Sequence, residues 1–249
     1  MQRALSRCRE ATGHLSATGS TSCSWTRRFF GCRFISSLVG HEGWCRSDDD
    51  VSLLGMPRAP LVVVIAGPNG AGKSTAAPSL LQDALAVTEF VNADAIAAGL
   101  SAFRPETMAI AAGRLMLGRI RTLGMARSDF AFETTLASRT FAPQFRRLRG
   151  SGYRVQIAFL SLPSPDLAVA RVAERVRRGG HDVPEAVIRR RYVSGLRNLF
   201  DSYLELADTW QVFDNSMLAA PRLFAAGMPA EGNRMTDVDA WAKLKERAR

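Results

Sequence analysis

The sequence predicts an α/β fold with a mainly parallel sheet, because strand-like and helix-like segments alternate along it. The 249 residues are 47% hydrophobic, which is enough for one sizeable core. Runs of β-branched and apolar residues recur at 61–66, 153–162 and 210–213, and amphipathic segments separate them. Alternation of this kind favours parallel strands joined by right-handed helical crossovers. In such sheets, ligands bind beyond the carboxyl ends of the strands.

The first predicted strand, Leu61 to Ala66, runs directly into a glycine-rich loop. The sequence GPNGAGKS at 67–74 matches the phosphate-binding pattern G-x-x-x-x-G-K-[ST] at every fixed position. Backbone N–H groups of such a loop, with the positive end of the next helix, form a cradle for phosphate. Lys73 would reach the β- and γ-phosphates of a nucleotide, and the Ser74 hydroxyl would bind Mg²⁺. The predicted cradle comprises Gly67, Pro68, Asn69, Gly70, Ala71, Gly72, Lys73, Ser74 and Thr75.

Caps and breaker residues predict the elements after this loop. Ser164-Pro165-Asp166 is a strong helix start, with a capping hydroxyl, a proline at the first helical position and an acid in the first turn. Helices are predicted at 73–85, 105–123, 138–149, 165–178, 185–207 and 237–249, and later strands at 88–91, 130–132, 153–162, 210–213 and 222–225. We expect a domain over 56–235, with a lid at about 171–195, and then a C-terminal helix at 236–249.

Polar residues follow several predicted strands, where ligands gather in a parallel sheet. Asp94 follows the second strand, Glu133 and Thr134 follow the third, and Asp214 and Asn215 follow the strand at 210–213. Asp94 could cap the next helix, or it could accept the proton of a substrate hydroxyl as a catalytic base. Glu133 and Thr134 could bind hydroxyl or amide groups of a substrate, or they could be solvated residues at a strand end. This convergence favours an enzyme over a binding protein.

Arginines at helical spacing mark the predicted lid. One face of a helix carries Arg171, Arg175 and Arg178. One interpretation of this stripe is a basic face exposed to solvent. The stripe leads into the glycine break at 179–180, so the other interpretation is a mobile lid that closes over the transferred phosphate. On the following helix, Arg191 flanks the apolar stripe and is favoured over Arg190 as an active-site cation. His181 is predicted either to contact substrate or to form structural hydrogen bonds.

The motifs of two ATPase classes are missing from the sequence. The segment Val155 to Leu160 contains no acid and so supplies no Walker B aspartate, which argues against a large motor ATPase. An LSGGQ-like segment and a hydrophobic run ending in Asp-Glu are also missing, which argues against a transporter ATPase. These absences remove the ATP-driven motor from the interpretations of the glycine-rich loop.

Residues 1–55 differ in composition from the rest of the chain. They hold all four cysteines and are rich in Ser, Arg, Gly and Trp, without sustained periodicity. We expect an extension that is disordered or not native, because Met56 stands five residues before the first strand; a targeting segment is the alternative. The cysteine-free remainder fits a reducing cytoplasm. No apolar run reaches the ~18 residues that a membrane span needs.

Several ordered motifs between Leu61 and Ser216 resemble the zeta-toxin family of P-loop kinases. They are AGPNGAGKST, VNADAIAAGLS, FETTL, RVAERVRRGGHDVPEAVIRRRYVSGLRNL and FDNS. The resemblance implies a P-loop kinase-type three-layer fold with a helical lid, and ATP and Mg²⁺ as cofactors. It implies that Lys73 and Ser74 bind ATP-Mg²⁺, that Asp94 is the catalytic base, and that Glu133 and Thr134 contact a sugar nucleotide. The candidates for phosphate-stabilising cations are Arg171, Arg175, Arg178, Arg190 and Arg191.

The expected function is transfer of the γ-phosphate of ATP to a small-molecule hydroxyl. The resemblance makes a sugar nucleotide like UDP-N-acetylglucosamine the first candidate acceptor, and an antitoxin a candidate partner. A P-loop kinase of another metabolite or of an antibiotic is one alternative. The net charge of +10 keeps a second alternative open, which is a basic nucleic-acid-binding protein with a vestigial nucleotide site. No DNA- or RNA-binding motif supports this alternative.

Overall fold

The computed structural model describes residues 58–83, 85–217, 220–228 and 232–249. The expected N-terminal extension at 1–55 lies outside these residues. Within the described part of the chain, no helix is long and apolar enough to cross a membrane.

Seven strands in the described residues form one sheet. In chain order they are β1 (Leu61–Ala66), β2 (Glu89–Val91), β3 (Phe130–Thr134), β4 (Arg154–Ser161), β5 (Thr209–Asp214), β6 (Arg222–Met228) and β7 (Gly232–Met235). Their order across the sheet is β2-β3-β1-β4-β5-β6-β7. The first five strands are parallel, whereas β6 and β7 pair in antiparallel fashion. The mainly parallel α/β fold is confirmed.

Helices connect most of these strands. They are α1 (Lys73–Pro78), α2 (Ala93–Leu100), α3 (Ala109–Met125), α4 (Ala142–Gly150), α5 (Pro165–Arg177), α6 (Glu185–Asn198), α7 (Leu204–Leu206) and α8 (Val238–Arg247). Short 3₁₀ turns precede α3 and α4, at Pro105–Met108 and Arg139–Phe141. All six residues of β1 are buried, as expected for a central parallel strand that is covered on both faces.

Two predicted helices change to π-helical geometry before they end. The helix predicted at 73–85 is α-helical only to Pro78, which has no N–H to donate, and continues as a π-helical turn at Ser79–Asp83. The helix predicted at 185–207 changes at Leu199–Tyr203. Tyr203 stays buried there and its hydroxyl donates to the Ser138 carbonyl oxygen at 2.6 Å. Because the apolar stripe continues through the turn, periodicity alone cannot show the change.

The antiparallel edge of the sheet is larger than predicted. β6 has seven residues where the sequence predicts four, and β7 has no counterpart in the sequence prediction. Gly227 of β6 lies against the Trp210 ring, so that a Cβ there would be 2.4 Å from a ring carbon. Small residues therefore take the place of the alternating apolar side chains by which a strand is recognised.

The C-terminal helix packs on the sheet. The Trp241 ring of α8 stacks on Trp210 of β5, with 5.3 Å between ring centroids and 7° between ring planes. The Phe200 ring meets the Trp241 ring edge-on, with 5.1 Å between centroids, and Leu244 of α8 is buried. Aromatic pairs of this geometry add to the stability that area burial provides. The helix predicted at 236–249, which begins at Val238, therefore shares the core of the preceding domain.

Candidate functional site

The glycine-rich loop connects β1 to α1 and has the backbone conformation that its glycines permit. Gly67, Gly70 and Gly72 have positive φ angles of 141°, 75° and 79°. A Cβ on Gly67 would lie 2.3 Å from the Leu160 carbonyl oxygen, because the loop packs directly on the end of β4. Only glycine combines this close approach with that conformation. The loop therefore sits at the carboxyl end of the central strand, between β3 and β4.

Lys73 begins α1 and is almost completely buried, with 6% of its surface exposed. Its ammonium group donates to the Pro68 carbonyl oxygen at 2.9 Å and lies 3.6 Å from Oε1 of Glu133. Burial lowers the pKa of Lys73, while the carboxylates of Glu133 and Asp94 oppose this shift. The lysine is thus held inside the loop by a carbonyl group and a carboxylate.

The Glu133 carboxylate joins three parts of the site. Glu133 is opposite Ile65 in the pairing of β3 with β1, which brings it to the carboxyl end of the sheet. Its Oε2 accepts hydrogen bonds from the Ser74 hydroxyl at 2.7 Å and from the Asn92 amide at 2.9 Å. An acid therefore does stand beside the glycine-rich loop. β4 carries no acid, as the sequence indicates, and the acid beside the loop is on β3, the other strand that pairs with β1.

Asp94 lies in the first turn of α2 and does not cap this helix. The cap is Asn92, whose Oδ1 accepts the backbone N–H groups of Asp94 at 2.8 Å and of Ala95 at 3.2 Å. The interpretation of Asp94 as a helix cap is therefore wrong. Asp94 lines the same cavity as Lys73 and Glu133.

A cavity of about 810 Å³ lies over the loop. This volume is in the range of pockets that hold small organic ligands. Part of the predicted phosphate cradle lines it, namely Asn69, Gly70, Gly72, Lys73, Ser74 and Thr75. The remaining wall includes Asp94, Glu133, Leu160, Phe213 and Asn215, together with residues of α5. The structure thus brings the loop, the acid that follows β2 and the acid at the end of β3 to one space.

Arg171 ties α5 to the segment that follows β5. Its two terminal nitrogens donate to the carbonyl oxygens of Asn215 at 2.7 Å and Ser216 at 2.8 Å. The Asn215 amide in turn donates to the Ala71 carbonyl oxygen of the glycine-rich loop at 2.7 Å. Arg171 lines the cavity, but a contact with phosphate would compete with these two bonds. Its predicted catalytic role stays a prediction.

Arg175 and Arg178 also line the cavity. Arg175 donates to the His181 carbonyl oxygen at 2.7 Å, and its buried Nε has no hydrogen-bond partner among the described residues. Arg178 pairs with Glu174 at 2.9 Å and is largely exposed. Arg175 thus holds one carbonyl oxygen where Arg171 holds two, and Arg178 holds a carboxylate; contact of either with phosphate stays a prediction.

The predicted cations of α6 do not line the cavity in the part of the chain that the structure describes. The buried stripe of α6 includes Ile188 and Tyr192, and the Tyr192 hydroxyl donates to the Leu162 carbonyl oxygen at 2.7 Å. This anchor fixes α6 on the core, with Arg191 half-buried beside the stripe and Arg190 exposed. Contact of either arginine with phosphate stays a prediction.

Thr134 and His181 are engaged in local structure. The Thr134 hydroxyl accepts the backbone N–H of Leu136 at 3.1 Å, which closes a turn after β3. His181 accepts the Arg175 hydrogen bond through its carbonyl group. Neither residue is among the described residues of the cavity wall, and their contacts with substrate stay predictions.

Sequence reasoning assigned no role to Asn92 or to the apolar part of the wall, and it placed Asn215 with Asp214 among the polar residues at the strand ends without a specific role. Asn92 directly follows β2, and this position at a strand end, which did mark Asn215 after β5, is the signal that could have identified it. Met217, Ala220 and Pro221 complete the apolar wall. No sequence motif marks these three residues.

Ser74 and Glu133 present a hydroxyl and a carboxylate, which are the hard oxygen donors that Mg²⁺ prefers. Within the described residues, no group of three His, Cys, Asp or Glu side chains could hold a metal ion. A Mg²⁺ ion needs no such group, because it is commonly held by one or two protein oxygens together with substrate phosphates. The residues present therefore fit a Mg²⁺ ion that arrives with a nucleotide.

Comparison with known families identifies the domain. Residues 62–192 match the AAA_33 family, which is described as an AAA domain. The chain belongs to this family. An uncharacterized protein of Haemophilus influenzae is 29% identical to this AAA_33 chain over 126 residues, which are 51% of the chain and 88% of that protein.

Solved structures share the fold of this AAA_33 domain. A chain of the AvrRxo1-ORF1:-ORF2 crystal structure with ATP has a TM-score of 0.60 and 16% identity, over 76% of this chain and 64% of that chain. The present chain thus spans less than two thirds of that relative. A structure of the PezAT chromosomal toxin–antitoxin system of Streptococcus pneumoniae has a TM-score of 0.53 and 15% identity, over 79% and 82%. These likenesses establish a P-loop kinase-type fold.

Proposed function

We propose that this protein is a kinase that transfers the γ-phosphate of ATP to a hydroxyl group of a small molecule. The observation that carries the proposal is the meeting of three features in one cavity: the glycine-rich loop with Lys73, the Asp94 carboxylate, and the arginines of α5. The loop alone would suit any nucleotide-binding protein. The carboxylate and the arginines add the proton acceptor and the charge stabilisation that transfer to a hydroxyl requires.

The glycine-rich loop and α1 bind the nucleotide in this proposal. Phosphate oxygens would accept hydrogen bonds from the loop N–H groups and from the Lys73 ammonium. Ser74 would hold Mg²⁺, which when bound neutralises charge on the β- and γ-phosphates. The adenine ring of the nucleotide would pack against the apolar wall formed by Met217, Ala220 and Pro221.

The acceptor hydroxyl would lie between the γ-phosphate and Asp94. Its oxygen attacks the γ-phosphorus while the bond from this phosphorus to the β–γ bridging oxygen breaks, and ADP leaves. The hydroxyl proton passes to the Asp94 carboxylate, which does not cap α2. Arg175 and Arg178 would offset the negative charge that spreads over the transferred oxygens.

Within this function we propose a sugar nucleotide like UDP-N-acetylglucosamine as the first acceptor to test. The support is the sequence resemblance to zeta toxins, together with the shared fold of a toxin–antitoxin system. Glu133 and Thr134 are the proposed contacts with this acceptor. On the same basis we propose an antitoxin as a partner and the ATP-rich cytoplasm as the place of action.

The test is incubation of the protein with ATP and Mg²⁺ and a panel of hydroxyl-bearing metabolites, including UDP-N-acetylglucosamine. Formation of ADP and of a phosphorylated acceptor is followed by phosphorus NMR and mass spectrometry. A new phosphate ester in any mixture supports the kinase, and its identity names the acceptor. Phosphorylation of another metabolite or of an antibiotic alone would replace the sugar nucleotide. ATP that stays intact with every acceptor would refute the proposed function.

A matched pair of variants tests the base. Asp94 and Asp239 are both acids in the first turn of a capped helix, but only Asp94 lines the cavity. Loss of a general base costs about 10²–10⁴-fold in rate, so we expect Asp94→Asn to lose that much turnover while it still binds ATP. Asp239→Asn should retain wild-type turnover. Equal turnover of the two variants would remove Asp94 as the base.

A further inference from the structure

We infer that Asn92 is a positioning residue, whose single amide group sets the place of Asp94 relative to the Glu133–Ser74 pair. The inference rests on the proposed function, because it assigns Asn92 a part in arranging the acceptor end against the nucleotide end. Asn92 is the residue that both caps α2 and contacts Glu133.

The two ends of the amide have different and fixed partners. Oδ1 accepts the N–H groups of Asp94 and Ala95, at 2.8 and 3.2 Å. Since these two donors require an oxygen, the nitrogen end must point away from α2. Nδ2 then donates to Oε2 of Glu133 at 2.9 Å. A side chain that carries an acceptor and a donor on two separate atoms is needed to make these contacts together.

Through Glu133 the amide reaches the glycine-rich loop. The same Oε2 accepts the Ser74 hydroxyl at 2.7 Å, and Oε1 lies 3.6 Å from the Lys73 ammonium. A continuous chain of hydrogen bonds therefore runs from the backbone of Asp94 to the residues that would meet the phosphates. Displacement of Asn92 would shift Asp94 and the loop relative to each other. A shift of about 1 Å between reacting groups can cost about 100-fold in rate.

The neutral charge of Asn92 is as specific as its shape. Serine, aspartate and asparagine cap helices about equally well. The serine hydroxyl can accept the cap bonds, but its side chain is shorter and has no second polar atom in the place from which Nδ2 of Asn92 meets Glu133. Aspartate would cap α2 but would place a second carboxylate against Oε2 of Glu133. If capping were the whole role of Asn92, all three residues would serve.

The experiment compares Asn92→Ser, Asn92→Asp and Asn92→Ala with wild type in phosphoryl transfer, ATP binding and thermal unfolding. We expect Asn92→Ser to keep its melting temperature and its ATP affinity within about twofold, and to lose about 10- to 100-fold in kcat. Asn92→Asp should lose at least as much, because it adds repulsion to the lost donor. Asn92→Ala should also melt at a lower temperature, because it lacks the cap.

A remote cap serves as the matched control. Asp237 caps α8 by accepting the Ala240 N–H at 2.9 Å, away from the cavity. Asp237→Ala should lower the melting temperature and leave kcat unchanged. Wild-type kcat in Asn92→Ser, or a loss of kcat in Asp237→Ala that matches its loss of stability, would overturn the inference. A wild-type protein that transfers no phosphate refutes the proposed function itself, whereas an active wild type with equally active Asn92 variants refutes only this inference.

Discussion

Gly72→Ala tests the link between the glycine-rich loop and the segment after β5. Gly72 has a φ angle of 79°, and a Cβ there would lie 2.7 Å from Nδ2 of Asn215. That nitrogen donates to the Ala71 carbonyl oxygen at 2.7 Å, so the new methyl group must break this bond. The substitution therefore has one cost in the backbone and one in a hydrogen bond.

The size of the effect follows from these two costs. Left-handed backbone geometry costs alanine about 1–2 kcal/mol, and the loss of one hydrogen bond costs about 0.5–1.5 kcal/mol. Alanine also has less freedom than glycine in the unfolded chain, which offsets about 0.4–1 kcal/mol. We therefore expect Gly72→Ala to lower the free energy of unfolding by about 2 kcal/mol.

Urea unfolding without nucleotide measures this change in Gly72→Ala, Asn215→Ala and the double variant. Asn215→Ala should cost about 1 kcal/mol. The double variant should be no less stable than Gly72→Ala, because the same bond is already lost. Gly113→Ala on α3 is the control, since its Cβ would meet nothing within 4 Å and should raise stability by up to about 1 kcal/mol. Additive costs of the two substitutions would refute the clash with Asn215.

Four further predictions concern nucleotide binding, pH and the core. Lys73→Met should abolish ATP-Mg²⁺ binding in isothermal titration. Wild-type affinity in this variant would refute phosphate binding by the glycine-rich loop. Burial lowers the pKa of Lys73 below its ordinary 10.5, so the folded protein loses this proton before the unfolded chain does. Stability of wild type relative to Lys73→Met should therefore rise with pH in the alkaline window below 10.5, as urea unfolding can measure. Burial raises the pKa of Tyr203 from 10.0 to about 12, which gives the opposite sign. The unfolding free energy of wild type minus that of Tyr203→Phe should be constant below pH 10.0 and should fall as pH rises towards about 12. A difference that does not change with pH would contradict this prediction. Trp241→Ala should cost about 2–3 kcal/mol in unfolding free energy, whereas Val238→Ala, which is 66% exposed on the same helix, should stay within about 0.5 kcal/mol. Equal stability of these two variants would show that α8 does not share the core.

Local features of the site could be predicted because they depend on residues that are adjacent in the sequence. The spacing of glycines at 67–72 requires a particular backbone path, and the structure has positive φ angles at Gly67, Gly70 and Gly72. Ser164 likewise caps α5 as predicted, by accepting the Leu167 N–H at 3.2 Å. Such patterns specify short pieces of structure without knowledge of the fold.

Contacts between distant segments could not be predicted in the same way. Ser74 and Glu133 are 59 residues apart, and Asn215 and Ala71 are 144 residues apart. Alternating strands and helices predict a parallel sheet, but they do not say which strands lie beside β1. β4 has no acid, and only the strand order shows that β3, which carries Glu133, is the other neighbour of β1.

The strand order explains why acids and arginines approach the loop from different sides. Since β3 and β4 flank β1, Asp94, which follows β2, and Glu133 at the end of β3 lie on one side of the loop, and α5, which follows β4, arises on the other. A phosphoryl group at the end of β1 would thus have Asp94 and Glu133 on one side and Arg175 on the other. An arginine paired directly with Asp94 would stabilise the carboxylate and so weaken it as a proton acceptor. The neutral amide of Asn92 holds Asp94 and Glu133 in place without weakening Asp94 as a proton acceptor. Replacement of Asn92 by a charged residue should therefore impair phosphoryl transfer rather than folding.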